Sequence, residues 1–320
     1  MVMKVFLSGK GAAKVTAGFL QVKNIVYHYP AGRKKIKALD GISLALKREG
    51  TLGIAGESGS GKSTLGKTIA GLLAPQRGAI VFKGLEISGK MNTSVQYVFQ
   101  NSSKALNPRM RVRDLIAEGL IIQNKWPRKR DLIIKDVMEA VGLPERVATY
   151  LPGQLSGGQI QRVALARVLA VEPEVLILDE PVSSLDVTTG AMLLLMLAEL
   201  RKKKKLSYII ISHDLAVLRQ TCTDIAVIYA GKIVEAGRAD YIFSKPRHMY
   251  TKMLLAAHPQ PDPACKIRVE IRGEAADPLH LPSGCRFHPR CPEALPLCRR
   301  QPPGMVNVAK KHSVACHLAG

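Results

Sequence analysis

The sequence predicts an α/β protein built on a mostly parallel sheet, and three observations predict it. Short apolar runs alternate with amphipathic segments, and a glycine-rich stretch joins one such run to a helix. The composition is that of a folded chain, 47% hydrophobic against 22% charged over 320 residues. Alternation of this kind argues for strands joined by crossover helices. So apolar a chain buries enough surface to offset the entropy of ordering, which excludes disorder throughout. Its length fits about two domains. The 47 Lys plus Arg against 25 Asp plus Glu leave +22, which points to an anionic partner: nucleic acid, a phosphate-rich ligand or an acidic membrane surface.

Each element follows from local pattern. VKNIVYHY within residues 21–54 alternates weakly as strand, Pro30-Ala-Gly-Arg-Lys-Lys is a polar turn, and Leu46 to Ala55 returns to strand. Ser63 to Leu73 reads as a helix. Residues 79–98 carry strand around the Lys83-Gly84 and Ser88-Gly89-Lys90 turns. From Val112 to Thr149 the pattern is helical, with Ile133, Val137, Met138 and Val141 at helical spacing and Gly142 ending the period. Ile160 to Val171 is a helix, and Val175 to Leu178 is a continuous apolar strand of the parallel-sheet type. Ala191–Leu200, Tyr208–Ser212, Leu215–Thr221 and Ile225–Tyr229 continue as helix, strand, helix and strand. After Leu255 the composition turns to Pro, His, Arg and Cys, so a small separate region is expected to begin near 256–265. The N-terminus lacks the apolar core and cleavage site of a secretory signal, and no window is long and apolar enough for a membrane span.

The chemistry concentrates at Gly56-Glu57-Ser58-Gly59-Ser60-Gly61-Lys62-Ser63-Thr64, which fits GxxxxGK[ST] between an apolar strand and a helix. Glycines let backbone wrap a polyphosphate, and successive N–H groups with the helix N-terminus form its cradle. Lys62 is placed to reach the β- and γ-phosphates and Ser63 to ligate Mg²⁺. The strand Val175-Leu-Ile-Leu then delivers Asp179, suited to hold magnesium through water, and Glu180, suited to polarise an attacking water. The reaction class is nucleoside triphosphate hydrolysis. A second serine-glycine helix start, Leu155-Ser156-Gly157-Gly158-Gln159, is one more phosphate-binding end than a single nucleotide needs.

Four of the six cysteines, Cys285, Cys291, Cys298 and Cys316, crowd the end of the chain; Cys222 and Cys265 stand apart. Spacings of 6, 7 and 18 residues match neither ordinary zinc ribbons nor the bacterial ferredoxin run. On the residues alone, an iron–sulfur cluster, a Zn²⁺ ion and no metal all stay open.

The LSGGQ stretch, in this order with the other motifs, resembles the signature of ATP-binding cassette ATPases over essentially the whole chain. The resemblance implies a P-loop NTPase cassette with a RecA-like core, an antiparallel β subdomain and a helical subdomain at about 103–160. This cassette spans 20–255, and a cysteine-containing C-terminal region follows at 256–320. It implies ATP and Mg²⁺ as cofactors and gives roles to single residues. Tyr29 resembles the aromatic that stacks on adenine. Gln100 resembles the glutamine near magnesium and water. Ser184 and Asp186 lie in the loop that crosses the dimer interface, where Ser184 replaces a commoner alanine. His213 resembles the switch histidine near the γ-phosphate. Leu155 to Gln159 are then expected to act in trans, on a nucleotide held by a partner cassette.

Three stretches resemble dipeptide/oligopeptide importer ATPases more narrowly: Gln100 to Met110, Pro246 to Leu254 with Met249 in place of the usual proline, and Gly284 to Pro292 with Cys298 and Cys316. Pro259-Gln-Pro-Asp-Pro263 leans toward the second ATPase subunit of such systems. The resemblance implies a [4Fe-4S] cluster on the four cysteines. It also implies a homologous ATPase partner in a heterodimer, two transmembrane permease subunits, an extracytoplasmic solute-binding protein, and residence on the cytoplasmic face of the membrane. Cargo is expected to be peptide, with oligosaccharide or another small solute as the alternative. A nucleic-acid or ribosome role, which +22 would suit, is disfavoured by the single uninterrupted cassette and the lack of an aromatic-interleaved basic patch. Arg201 to Lys205 reads as a solvated helix end, and Trp126 to Asp131 as an exposed part of the helical subdomain.

Overall fold

The structure, a computed structural model, describes residues 18–123, 130–257, 273–274 and 276–319. Trp126, the Pro259–Pro263 stretch and Cys265 lie outside the described residues. Two compact units emerge, one gathering the chain up to Lys90 and from Ile210 onward, the other holding Met91–Ile209.

The first unit opens with β1 (Leu20–Ala31) and β2 (Lys34–Leu46), paired antiparallel from Leu20↔Leu46 to Ala31↔Lys34. The polar turn shrinks to Gly32-Arg33, because Pro30 still pairs with Lys35. Strand character is also broken after Leu46. Gly50 N–H donates to Lys47 O and Glu49 takes a positive φ, so β3 starts afresh at Thr51 and runs to Ala55. Helix α1 (Lys62–Ile69) stops short of Leu73. Gly71 adopts φ 76°, its N–H donates to Thr68 O, and Leu72 N–H donates to Lys67 O, a Schellman ending that satisfies the last carbonyls. Strands β4 (Arg77–Phe82) and β5 (Leu85–Glu86) complete an antiparallel sheet ordered β2-β1-β4-β5.

The second unit begins with β6 (Val95–Val98) and α2 (Ser102–Ala105), followed by α3 (Val112–Ile122), α4 (Arg130–Ala140) and α5 (Gly157–Leu169). In α4 the buried apolar positions are Ile134, Val137 and Met138, so Ile134 takes the place expected of Ile133. Gly142 ends the run at φ 67°. Strand β7 (Val175–Asp179) pairs parallel with β6, and its four apolar side chains are wholly buried, as a central parallel strand requires. Helix α6 spans Val187–Lys204, longer at both ends than its apolar stretch. Strand β8 (Ser207–Ser212) returns the chain to the first unit.

There α7 (Leu215–Thr221) leads into β9 (Asp224–Tyr229), parallel to β3, and β10 (Lys232–Arg238) hairpins back on β9. Helices α8 (Ala239–Ser244) and α9 (Met249–Ala256) follow. The described tail adds α10 (Pro296–Arg300), β11 (Val306–Ala309) and β12 (His312–Val314). Strand β12 pairs antiparallel with β10, Glu235↔Val314 to Gly237↔His312, so this unit's strands run β11-β12-β10-β9-β3. Among the described residues no helix is long and apolar enough to cross a membrane.

Candidate functional site

The phosphate loop connects β3 to α1 and can do so only with glycine at two points. A Cβ on Gly56 would lie 2.3 Å from Ile228 O, and one on Gly61 would lie 2.3 Å from Ala38 O. Both residues also hold positive φ, 153° and 107°, which side chains resist. No side chain caps α1 and its first turn carries no acid, which suits a helix N-terminus that faces an anion. Ser60 Oγ is buried without a hydrogen-bond partner among the described residues. Lys62 is buried, and its ammonium donates to Gly56 O at 2.7 Å and Glu57 O at 2.8 Å. The loop therefore holds its own cation over a cradle of amide donors, an arrangement that fits a polyphosphate. Ser58 and Gly59 are exposed, while Ser63 and Thr64 are half-buried. Tyr29 on β1 is half-buried too, with its hydroxyl 3.4 Å from Thr64 Oγ1. His213 sits exposed just beyond β8.

In the second unit the parallel register Val98↔Leu178 sends Gln100 and Glu180 out of neighbouring strand ends. Asp179 is 4% exposed and Glu180 8%. Glu180 also takes a left-handed φ of 50°. Tyr97 on β6, unremarked in the sequence, donates its hydroxyl to Asp179 Oδ2. Serine and glutamine of the LSGGQ stretch form a capping box on α5: Gln159 N–H donates to Ser156 Oγ at 3.3 Å, and Ser156 N–H donates to Gln159 Oε1 at 3.0 Å. Gly157 opens that helix beyond the half-buried Leu155. Gly158 is needed for packing, since a Cβ there would meet Thr189 Cγ2 at 2.8 Å. Thr189 N–H in turn donates to Asp186 Oδ1 at 2.9 Å, capping α6. That bond holds the Asp186 carboxyl below the usual carboxylate range. Signature and Ser184–Asp186 loop are thus brought together within this unit, and Ser184 and Asp186 are exposed.

All five described cysteines are free. Burial pushes the Cys285 thiol up to about 11, and Cys291 and Cys316 are raised for the same reason. Backbone N–H groups of Phe287, Glu293 and Leu318 donate to their sulfurs, and the three thiols with Cys298 lie within electrostatic reach of one another. Donor chemistry of this kind suits a soft metal centre. Yet among the described residues no group of three or more His, Cys, Asp or Glu is arranged to hold a metal ion.

Sequence reasoning also missed how this tail meets the phosphate loop. Arg290 makes two hydrogen bonds to Glu57, and Glu57 N–H donates to the Tyr250 hydroxyl at 2.7 Å. The only hint was Glu57 itself, a carboxylate inside an anion-binding loop.

The ABC transporter family matches residues 39–183, and the oligopeptide/dipeptide transporter C-terminal region matches residues 234–298. The di/tripeptide transport ATP-binding protein DppF of Pseudomonas aeruginosa (strain UCBPP-PA14) is 39% identical over 317 residues, covering 94% of this chain and 97% of its own. The oligopeptide transport ATP-binding protein AppF of Bacillus subtilis (strain 168) is 40% identical over 295 residues, 88% of this chain and 90% of its own. Among solved structures, the dimeric post-hydrolysis state of the ATP-binding cassette MJ0796 bound to ADP and Pi aligns with TM-score 0.62 and 28% identity. That alignment covers 69% of this chain and 98% of the other.

Proposed function

This chain belongs to the ABC transporter family, among its oligopeptide and dipeptide transport ATP-binding proteins, and from that membership we propose that its ATP hydrolysis energises import of dipeptides or oligopeptides. The observation that carries the peptide reading is the tail. A cassette alone says nothing of cargo, whereas similarity to DppF runs over 94% of this chain and the C-terminal region matches a family described by its peptide transport.

In the reaction we assign, Lys62 releases the carbonyls of Gly56 and Glu57 to neutralise β- and γ-phosphate oxygens, and the loop amides take the remaining charge. Tyr29 stacks on adenine. Mg²⁺ supplies charge neutralisation when bound, and the hard oxygens of Ser63, Gln100 and Asp179 suit it. Glu180 accepts a proton from the attacking water, and His213 hydrogen-bonds near the γ-phosphate. Ser156, Gly157 and Gly158 complete the phosphate contacts of a partner cassette's nucleotide, with Leu155 and Gln159 shaping that turn. Ser184 and Asp186 meet the partner across the interface.

The partners we propose are a homologous ATPase in a heterodimer, two permease subunits and, indirectly, a solute-binding protein. The chain would lie peripherally at the cytoplasmic face. We also assign Cys285, Cys291, Cys298 and Cys316 to a [4Fe-4S] cluster, with Zn²⁺ as the alternative. Iron, sulfide and zinc analysis of anaerobically purified protein decides it, and absence of all three removes the assignment.

The central test is uptake of labelled di- and oligopeptides by cells carrying the parent chain or E180Q. We expect E180Q to bind ATP, to hydrolyse it at least about 100-fold more slowly, and to abolish peptide uptake. Undiminished peptide uptake with lost oligosaccharide uptake would transfer the role to the other cargo.

A further inference from the structure

Two arginines of the cysteine-bearing segment approach the phosphate loop, Arg290 directly and Arg286 by way of a neighbouring turn. Arg290 Nη1 donates to Glu57 Oε2 at 2.7 Å and Nη2 donates to Oε1 at 2.9 Å. This two-pronged pairing fixes the direction of a carboxylate as well as its distance. Arg286 donates to Ala230 O and to Asp40. The adjoining turn continues to the loop, since Asp40 N–H donates to Gly231 O and Gly231 N–H donates to Ser60 O, each at 2.9 Å.

Glu57 is the meeting point. Its N–H donates to the Tyr250 hydroxyl, its carbonyl accepts from the Lys62 ammonium, and its carboxylate accepts from Arg290. The Arg290 side chain is 7% exposed against 27% for Glu57. Its guanidinium centre lies 5.9 Å from the Tyr229 ring and 5.8 Å from the Phe287 ring. Nη2 also lies 3.6 Å from Met253 Sδ. A cation so enclosed, with its carboxylate partner raising its already high pKa, stays charged wherever the protein folds. The carboxylate needs that company. A negative charge inside a loop that binds polyphosphate opposes the ligand by direct Coulomb repulsion unless it is neutralised and held.

We propose that Arg290 is a positioning residue for nucleotide binding: by pairing with Glu57 it cancels the one negative charge of the phosphate loop and fixes the loop's first turn. The tail thereby sets how tightly the chain holds nucleotide. This inference rests on the reading of the loop as an ATP site.

The experiment measures MgATP affinity and steady-state ATPase parameters of the full-length chain as parent, R290Q, E57Q and E57Q/R290Q. R290Q leaves the Glu57 charge unopposed, and we expect Kd and KM for ATP to rise about 10-fold with kcat changed less than about 2-fold. E57Q/R290Q removes the charge along with its partner, so its affinity should return to within about 3-fold of the parent. A merely structural ion pair predicts no such rescue. Unchanged affinity in R290Q, or a double variant as weak as R290Q, overturns the proposal. Should R290Q not be recovered folded, R290K keeps the charge but loses the fork. A KM rise of about 2- to 5-fold supports the proposal, and parent-like KM overturns it. A parent chain that fails to bind MgATP would instead bring down the ATP reading and this inference with it. Parent binding matched by R290Q removes only the role of Arg290.

Discussion

Asp179 has two carboxylate oxygens, and Tyr97 occupies one of them. A buried carboxylate anchored by a hydroxyl is held in a fixed direction, which is how supporting hydrogen bonds sharpen a metal ligand. Y97F should therefore raise the Mg²⁺ concentration needed for half-maximal ATPase by about 10-fold, read from a magnesium titration at saturating ATP. An unchanged requirement would mean the tyrosine only fills space. The neighbouring Glu180 stands at φ 50°, a conformation that costs a side-chain-bearing residue about 1–2 kcal/mol and tends to persist where function requires it. The placement of Asp179 and Glu180 at a strand end was legible because an apolar strand points at them. Tyr97 was not, because its role arises only when β6 lies beside β7. Nothing periodic in Tyr97-Val-Phe-Gln100 announces a partner 82 positions away.

Helix α5 shows one segment of sequence serving two purposes. Its serine and glutamine satisfy each other's backbone donors, so the LSGGQ stretch is a helix start by local chemistry before any nucleotide is considered. Q159E preserves the capping box and should melt within about 0.5 kcal/mol of the parent. Q159A loses it and should cost about 1 kcal/mol, with faster amide exchange confined to the first turn of α5. Equal stability of the two variants would deny the box any weight. Helix ends of this sort can be read from neighbours in sequence, as can the buried run of β7. The broken strand between β2 and β3 was missed, because a single Gly50 marks the turn between Leu46 and Thr51 and the left-handed φ falls on its neighbour Glu49. Strand β10 and the strand β12 that pairs with it were also invisible, since their pairing joins Glu235 to Val314.

At the scale of the molecule, the tail is tied to the cassette through polar groups buried in the first unit. Glu235 is wholly buried and accepts from the N–H groups of Arg247 and His248 at 2.8 and 2.9 Å, while His312 Nε2 lies 2.7 Å from its Oε1. His248 beside it is 2% exposed, and its Nδ1 accepts from Tyr250 N–H at 3.1 Å. Burial pushes the His248 imidazole down from 6.5 to about 4. A group depressed in the folded state gives its full stability above the unfolded value and loses it as pH falls toward the folded one. Melting temperature should therefore drop between pH 6.5 and 4, by roughly 3 kcal/mol of stability at pH 4. H248Q should flatten that slope, and an equally steep slope in H248Q would assign the acid loss elsewhere. None of this seam was legible, because cassette and tail meet through side chains far apart in sequence. The placing of β12 against β10 has one more consequence. An open β10 would offer its unpaired N–H and C=O groups as a template on which another chain could add a strand. Here the outermost strand is instead β11, four residues long and followed by the exposed Lys310. A short strand followed by an exposed lysine is a poor template for edge-to-edge strand addition.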